Sequence, residues 1–246
     1  AGETTWVGEQ RDGSLFEQVT AGGLPLGRLV FAVHQKIGGQ DQWVETDTVE
    51  SMRLQEQRDA WLLEAVVSRK GQGTAITAVD DVGQMAVPAS APAAFRATVR
   101  AVVFREGGLA LVRPLSIENT DRRPWELVEA FWFCRPAIGG SPADDQPGGP
   151  KVPNYYTSAP FWTDAKLGGV FAAAAPAGTW QIQFWQNPSG GFHPDARFDV
   201  HQQLASGATW QAAAVPYLWI YAARDAGSWR SLASRVRQSA RLLVGH

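Results

Sequence analysis

Along most of this chain apolar residues recur at every second position, and that period restricts the possible folds more than any other feature. Leu29, Phe31 and Val33 alternate with Val30, Ala32 and His34. Trp61, Leu63, Ala65 and Val67 share a stripe, and so do Phe95, Ala97, Val99, Ala101 and Val103. Further stripes follow in Leu109, Leu111, Leu115 and Ile117, then Trp125, Leu127, Phe131 and Phe133, then Trp180, Ile182 and Phe184. A strand turns successive side chains to opposite faces, so each stripe can line one side of a core. Turn-forming residues separate the stripes at Gly38-Gly39, at Gly71 and Gly73, at Gly107-Gly108 and over 119–124. Gly107-Gly108, lying between two alternating runs, reads as a hairpin turn. Many short strands at this spacing predict an all-β chain of two large packed antiparallel sheets, a β-sandwich. No internal repeat of the kind a propeller requires is visible.

The last segment changes period. Ser228 can cap a helix in which Trp229, Leu232, Ala233, Val236, Ala240 and Leu243 fall on one face. One C-terminal α-helix is therefore expected over about 228–243, as a cover for a sheet edge or face. Its arginines, Arg230, Arg235, Arg237 and Arg241, suit the helix dipole and need no nucleic-acid partner. The 246 residues are within the reach of a single β-sandwich domain, expected to span 1–246.

Composition narrows the function classes. A formal net charge of −2 gives no electrostatic footprint for a nucleic acid or an anionic membrane. No apolar run is long enough for a membrane-spanning helix. Cys134 is the only cysteine, so no intrachain disulfide or CxxC metal knot can form; it reads as a small apolar strand residue. The start at Ala1 fits a mature terminus left by signal cleavage, or a trimmed chain, and favours a secreted or periplasmic location.

Two segments resemble the large "supersandwich" domains typified by galactose mutarotase-like proteins. Residues 115–127, with Asn119-Thr120 and Pro124, are similar to the strand–turn–strand in which those domains place an Asn-Thr-x-x-x-Pro turn. Residues 204–210 are similar to their Leu-x-Pro-Gly-Glu-x-Trp element, with Ser206 in place of the proline and Ala208 in place of the glutamate. The resemblance implies a supersandwich-like fold of a kind that often meets sugars, in mutarotases, epimerases and accessory domains of hydrolases and lyases. The catalytic His and Glu motifs of mutarotases match no positions in this chain, so that activity is not implied.

Candidate chemistry gathers around two irregular stretches, 136–160 and 186–194. Sugar rings stack their C–H faces on aromatic rings and need polar partners for their hydroxyls. Tyr155, Trp162 and Trp185, with Asn154 and Asn187, are thus candidate substrate-binding residues. His193 and Asp195 could supply acid–base chemistry beside them, with Tyr156 as a further candidate base and His34 as an imidazole on a strand face. On a strand from 195 onward, Asp195, Arg197, Asp199, His201 and Gln203 share a face that reads either as solvated or as the wall of a cleft. Ala196, Phe198, Val200 and Leu204 share the other. The His and Asp spacings match no metal site, and no cofactor is expected.

Three functions fit these residues. The first is recognition of an oligo- or polysaccharide at the junction of the 151–164 and 185–195 segments. The second is a carbohydrate-active enzyme, an epimerase, lyase or hydrolase, using the same cleft. The third is a structural or assembly domain. The oligomeric state is not encoded in any feature of the sequence.

Overall fold

In a computed structural model the chain is all-β, and two antiparallel sheets carry its strands. The structure describes residues 4–8, 13–21, 23–70, 91–106, 108–136, 141–142, 156–157, 161–164, 169–174, 180–186 and 192–224. At 24, 134–136, 141–142, 156–157, 161–164, 169–174, 182–186, 192–195 and 223–224 the description is of backbone only. The helix expected over 228–243 lies outside the described residues.

The first sheet has eight strands. From one edge it runs β1 (Thr4–Val7), β2 (Ser14–Ala21), β3 (Leu24–Ile37), β9 (Trp125–Pro136), β15 (Phe192–Leu204), β14 (Gln181–Gln186) and β11 (Tyr156–Thr157). The long β3 pairs β2 with its first half and β4 (Gln40–Glu45) with its second. The second sheet has nine, in the order β10 (Ser141–Pro142), β12 (Phe161–Asp164), β13 (Gly169–Ala174), β17 (Leu218–Arg224), β8 (Leu109–Asn119), β7 (Phe95–Phe104), β6 (Ala60–Arg69) and β5 (Thr48–Glu56). The short β16 (Thr209–Gln211) pairs β8. The Gly38-Gly39 turn joins β3 to β4 and Gly108 closes the β7–β8 hairpin, each glycine at positive φ as such turns require.

Between the sheets lies one apolar core. It includes Phe31, Val33, Val67, Phe95, Val99, Ile117, Trp125, Leu127, Trp132 and Ile220. Phe31 and Trp132 meet edge to face with centroids 4.9 Å apart, and burying each such side chain is worth about 2–3 kcal/mol. Two β-bulges alter the faces that simple alternation assigns. On β9, His34 pairs Glu129 while Gln35 pairs Leu127, leaving Val128 as an extra residue. Beyond it the phase reverses: Ala130 and Trp132 join the core, while Phe131 and Phe133 turn away from it. On β8 the register slips at Leu115, between the Thr98–Ser116 and Val99–Pro114 pairs. Val112 and Ile117 therefore both reach the core across an odd interval.

At one end of the sandwich two connections that change sheets meet. Residues 120–124 carry the chain from β8 to β9, and 205–208 carry it from β15 to β16. Fully buried Asn119 joins them: its Nδ2 donates to the carbonyls of Arg123 and Leu204, both at 2.9 Å, and its Oδ1 accepts from the Asp121 N–H. Its backbone N–H donates to the Ala208 carbonyl and its carbonyl accepts from Gly207. Ser206 Oγ donates to the Asp121 carbonyl at 2.8 Å. The two segments that carry the supersandwich resemblance thus pack against each other.

Candidate functional site on the outer face of the eight-stranded sheet

The central strands of the first sheet are covered on both faces. Residues 29–33 of β3 are all buried, as an uninterrupted apolar run in a two-sided strand should be. Val30, Ala32, Phe131 and Phe133 form a second, smaller cluster on the face away from the main core, with Trp43 packed on it. Polar groups replace apolar ones on this outer face immediately beside that cluster.

His34 and Glu129 are opposite each other on β3 and β9, and Glu129 is opposite Asp199 on β15. His34 is 8% exposed and its ring has a carboxylate at each nitrogen: Glu129 Oε2 is 3.0 Å from Nδ1 and Asp41 Oδ1 is 2.9 Å from Nε2. A neutral imidazole donates from one nitrogen and accepts at the other, so only the doubly protonated ring donates to both carboxylates. Trp43, paired with His34 across β3 and β4, stacks on it with centroids 4.3 Å apart and planes 20° from parallel. Arg197 Nη1 stands 3.6 Å from Glu129 Oε2, and its guanidinium is 5.8 Å from the Phe131 ring centroid.

Burial pushes the Glu129 carboxyl up. The hydrogen bond from His34 and the charges of Arg197, His34 and His201 outweigh it and hold the group below the usual carboxylate range. Glu129 is therefore an ionised acceptor for the His34 ring, with the Arg197 cation beside it. Around this centre the face opens to solvent. Asp41, Asp199, His201 and Gln203 are exposed, Gln181 Nε2 donates to Asp199 Oδ2 at 3.0 Å, and His201 Nδ1 is 3.7 Å from Glu126 Oε1. His201 has a φ of 53°, uncommon for a side chain other than Gly, Asn or Asp. It lies in a bulge of β15, which carries Val200 and His201 between its Asp199–Glu129 and Gln202–Leu127 pairs. The arrangement is a buried charged centre ringed by donors and acceptors, suited to a ligand rich in hydroxyls.

The residues singled out from sequence fall in three places. His34 is at the centre just described. Tyr156, Trp185, His193 and Asp195 lie in the same sheet at backbone level: Tyr156 and Asp195 both pair Gln183, from opposite sides, and His193 pairs Trp185. Asp195 also pairs Phe133, four residues along β9 from Glu129 and two strands from β3. At about 3.4 Å per residue and 4.8 Å per strand, it lies about 16 Å from His34 along the sheet. Trp162 belongs to the other sheet, where it pairs Pro142 and Phe171. Asn154, Tyr155 and Asn187 lie outside the described residues. Alternation on β15 is as expected, with Ala196 and Leu204 buried in the core. Arg197, however, is not a solvated residue, because Glu129 and the Phe131 ring enclose it. Glu129 and Asp41 were not marked by sequence. The signal for Glu129 is its place as a carboxylate between Val128 and Ala130, inside the apolar run 127–133.

No protein-family model matches the chain, and no curated protein sequence matches it. Among solved structures it is similar to the Slr1438 protein of Synechocystis sp. PCC 6803, at 12% identity and a TM-score of 0.44, over 89% of this chain and 90% of that one. It is similar to a putative aldose 1-epimerase of Escherichia coli K12 at 9% identity and a TM-score of 0.44, over 89% and 99%. A polysaccharide lyase matches at 10% identity and a TM-score of 0.36, over 90% of this chain and 32% of the lyase. These similarities are of strand layout; the two-sheet class itself rests on the hydrogen-bond registers above.

Proposed function

We propose that the chain is a carbohydrate-binding domain whose ligand lies on the outer face of the eight-stranded sheet. The observation that supports this reading most directly is the His34–Glu129–Arg197 centre with its open polar rim of Asp41, Gln181, Asp199 and Gln203. A sugar offers many hydroxyls that donate and accept together, and this rim supplies both carboxylate acceptors and amide donors at neighbouring register positions. The strands that continue the same sheet carry Trp185, His193, Asp195 and Tyr156, so a chain of several sugars has room along β14 and β15.

The test is binding of a glycan panel to the wild type and to Asp199→Ala and Gln181→Ala. Both side chains are exposed, so the variants are expected to fold and to lose at least about tenfold in affinity, equivalent to about 1.4 kcal/mol. Undiminished binding by both variants removes the site from this face.

One observation favours a second reading, a sugar-converting enzyme. His34 and Glu129 form a buried, hydrogen-bonded acid–base pair of the kind that can move a proton to or from a bound sugar. Incubation with reducing sugars and uronate polysaccharides, followed by NMR for new anomers or unsaturated ends, decides it. Conversion that survives both His34→Asn and Glu129→Gln excludes this pair.

A further inference from the structure

The outer face of the nine-stranded sheet, on the opposite side of the sandwich, holds a cation with no carboxylate partner among the described residues. Arg113 on β8, Arg100 on β7, Glu64 on β6 and Arg53 on β5 are directly opposed in one cross-strand row. They face away from the core, because the neighbours Val112, Val99, Ala101, Leu63 and Ala65 face into it. Like charges placed directly opposite each other in a sheet repel. Glu64 relieves one of them: it accepts from Arg100 Nη2 at 2.8 Å and Nε at 3.3 Å. That hydrogen bond, against the opposing effect of burial, raises the proton affinity of Arg100, and Tyr217 adds to it.

Among the described residues Arg113 has no such partner. It is half-buried, with its guanidinium 4.8 Å over the Tyr217 ring. Only Nη1 reaches an acceptor, the Val215 carbonyl at 3.4 Å. Its Nε is shielded from solvent without an acceptor, and no carboxylate among the described residues is within ion-pair distance of it. The guanidinium is only partly exposed and has no carboxylate beside it among the described residues, whereas its neighbour Arg100 shows the paired arrangement one strand away. Cation–π attraction to the ring holds the guanidinium in place, and with Nε shielded its terminal Nη N–H groups are the ones left to meet a planar oxyanion.

We propose that Arg113, with Arg100 beside it and Tyr217 as its platform, is a binding site for the carboxylate of an external ligand. One carboxylate would do for Arg113 what Glu64 does for Arg100 and would bring the row to two cation–carboxylate pairs beside Arg53. The site is independent of the sugar-binding reading, since it occupies the other sheet and shares no residue with that face.

The experiment follows the Arg100 Nε–H and Tyr217 ring resonances by NMR at constant ionic strength while acetate, glucuronate, glucose or inorganic sulfate is added. Saturable shifts with glucuronate are expected, with a dissociation constant on the order of 1 mM. Equal shifts with acetate mean that the carboxylate alone is recognised, and shifts with glucuronate only mean a carboxylate presented on a sugar ring. Both results support the site. Arg113→Lys, which keeps the charge and loses the fork, is expected to weaken binding about tenfold, and Arg113→Met to abolish it. Absence of saturation with either carboxylate overturns the proposal. So does equal binding of sulfate, or binding that survives in Arg113→Met. Should Arg113→Met fail to fold, Arg113→Lys with unchanged affinity overturns it as well. The Asp199→Ala variant, read in the same titration, is expected to leave these shifts unchanged, so failure at either face is seen separately.

Discussion

At the scale of single residues, Glu129 connects the most. It accepts from His34 at 3.0 Å and faces Arg197 at 3.6 Å, and its side chain is only 14% exposed. Replacing it by Gln keeps the shape but leaves the buried Arg197 cation and the His34 ring facing a neutral amide. Glu129→Gln is expected to cost about 2–4 kcal/mol, measured as a lower urea midpoint at pH 7. Because the carboxyl is held below its usual range in the folded state, the stability it confers is fully present above the unfolded carboxyl pKa of about 4.3. It is lost as pH falls through the lower folded value. Wild type and variant should therefore differ most near neutrality and converge in acid. A difference that grows on acidification would contradict this account. Of this centre, His34 could be read from sequence, since a histidine in an apolar alternation is conspicuous. Its partners could not: Glu129 is 95 residues away, and only the register of β3 on β9 brings them together. For Arg197 sequence leaves a solvated face and a cleft wall both open, because alternation reports which face a residue takes, not what covers that face.

At the scale of elements, hairpins and their turns were readable because glycine marks positions where φ is positive. Gly108 is the sharpest case. A Cβ built there would collide with the Ala222 carbonyl oxygen, which already lies under the β7–β8 turn, and would crowd Thr4 Oγ1. Gly108→Ala is expected to lower stability by about 3 kcal/mol or more, seen in the thermal midpoint. The corner at Asn119 was visible as a turn but not as a junction of two sheet-changing connections. Its amide makes three hydrogen bonds and leaves no polar atom unsatisfied. Asn119→Ala strips partners from the buried Leu204 carbonyl and the Asp121 N–H together, and about 2–4 kcal/mol of destabilisation in a denaturant titration is expected. Asp121 is held far below the carboxylate range, first by the Arg123 side-chain hydrogen bond and also by the backbone N–H groups of Arg123 and Ala94, against the opposing effect of burial. Asp121→Asn should therefore narrow the acid-induced loss of stability. The bulges at Val128 and Leu115 had no local signature; without them, Phe131 and Phe133 were assigned to the wrong face.

At the scale of the whole molecule, period-2 alternation was enough to indicate two packed sheets, because apolar stripes facing one another can satisfy burial in few other ways. It could not give strand order, which depends on pairings between distant segments. β3, β9 and β15 are adjacent at the centre of the first sheet, yet their residues begin at 24, 125 and 192. Contacts between segments so far apart have a large loop-closure cost before they return any burial. Refolding from urea is expected on the millisecond-to-second scale or slower, and microsecond refolding by stopped flow or temperature jump would contradict this topology. The same order bears on synthesis. While the ribosome is still making residues before 192, β9 has β3 on one side and an open ladder on the other, with Phe131, Trp132 and Phe133 lacking part of their cover. A chain stalled or cleaved in that interval presents a long hydrophobic edge to its neighbours, so the central strand that holds Glu129 is also where a truncated product would begin to aggregate.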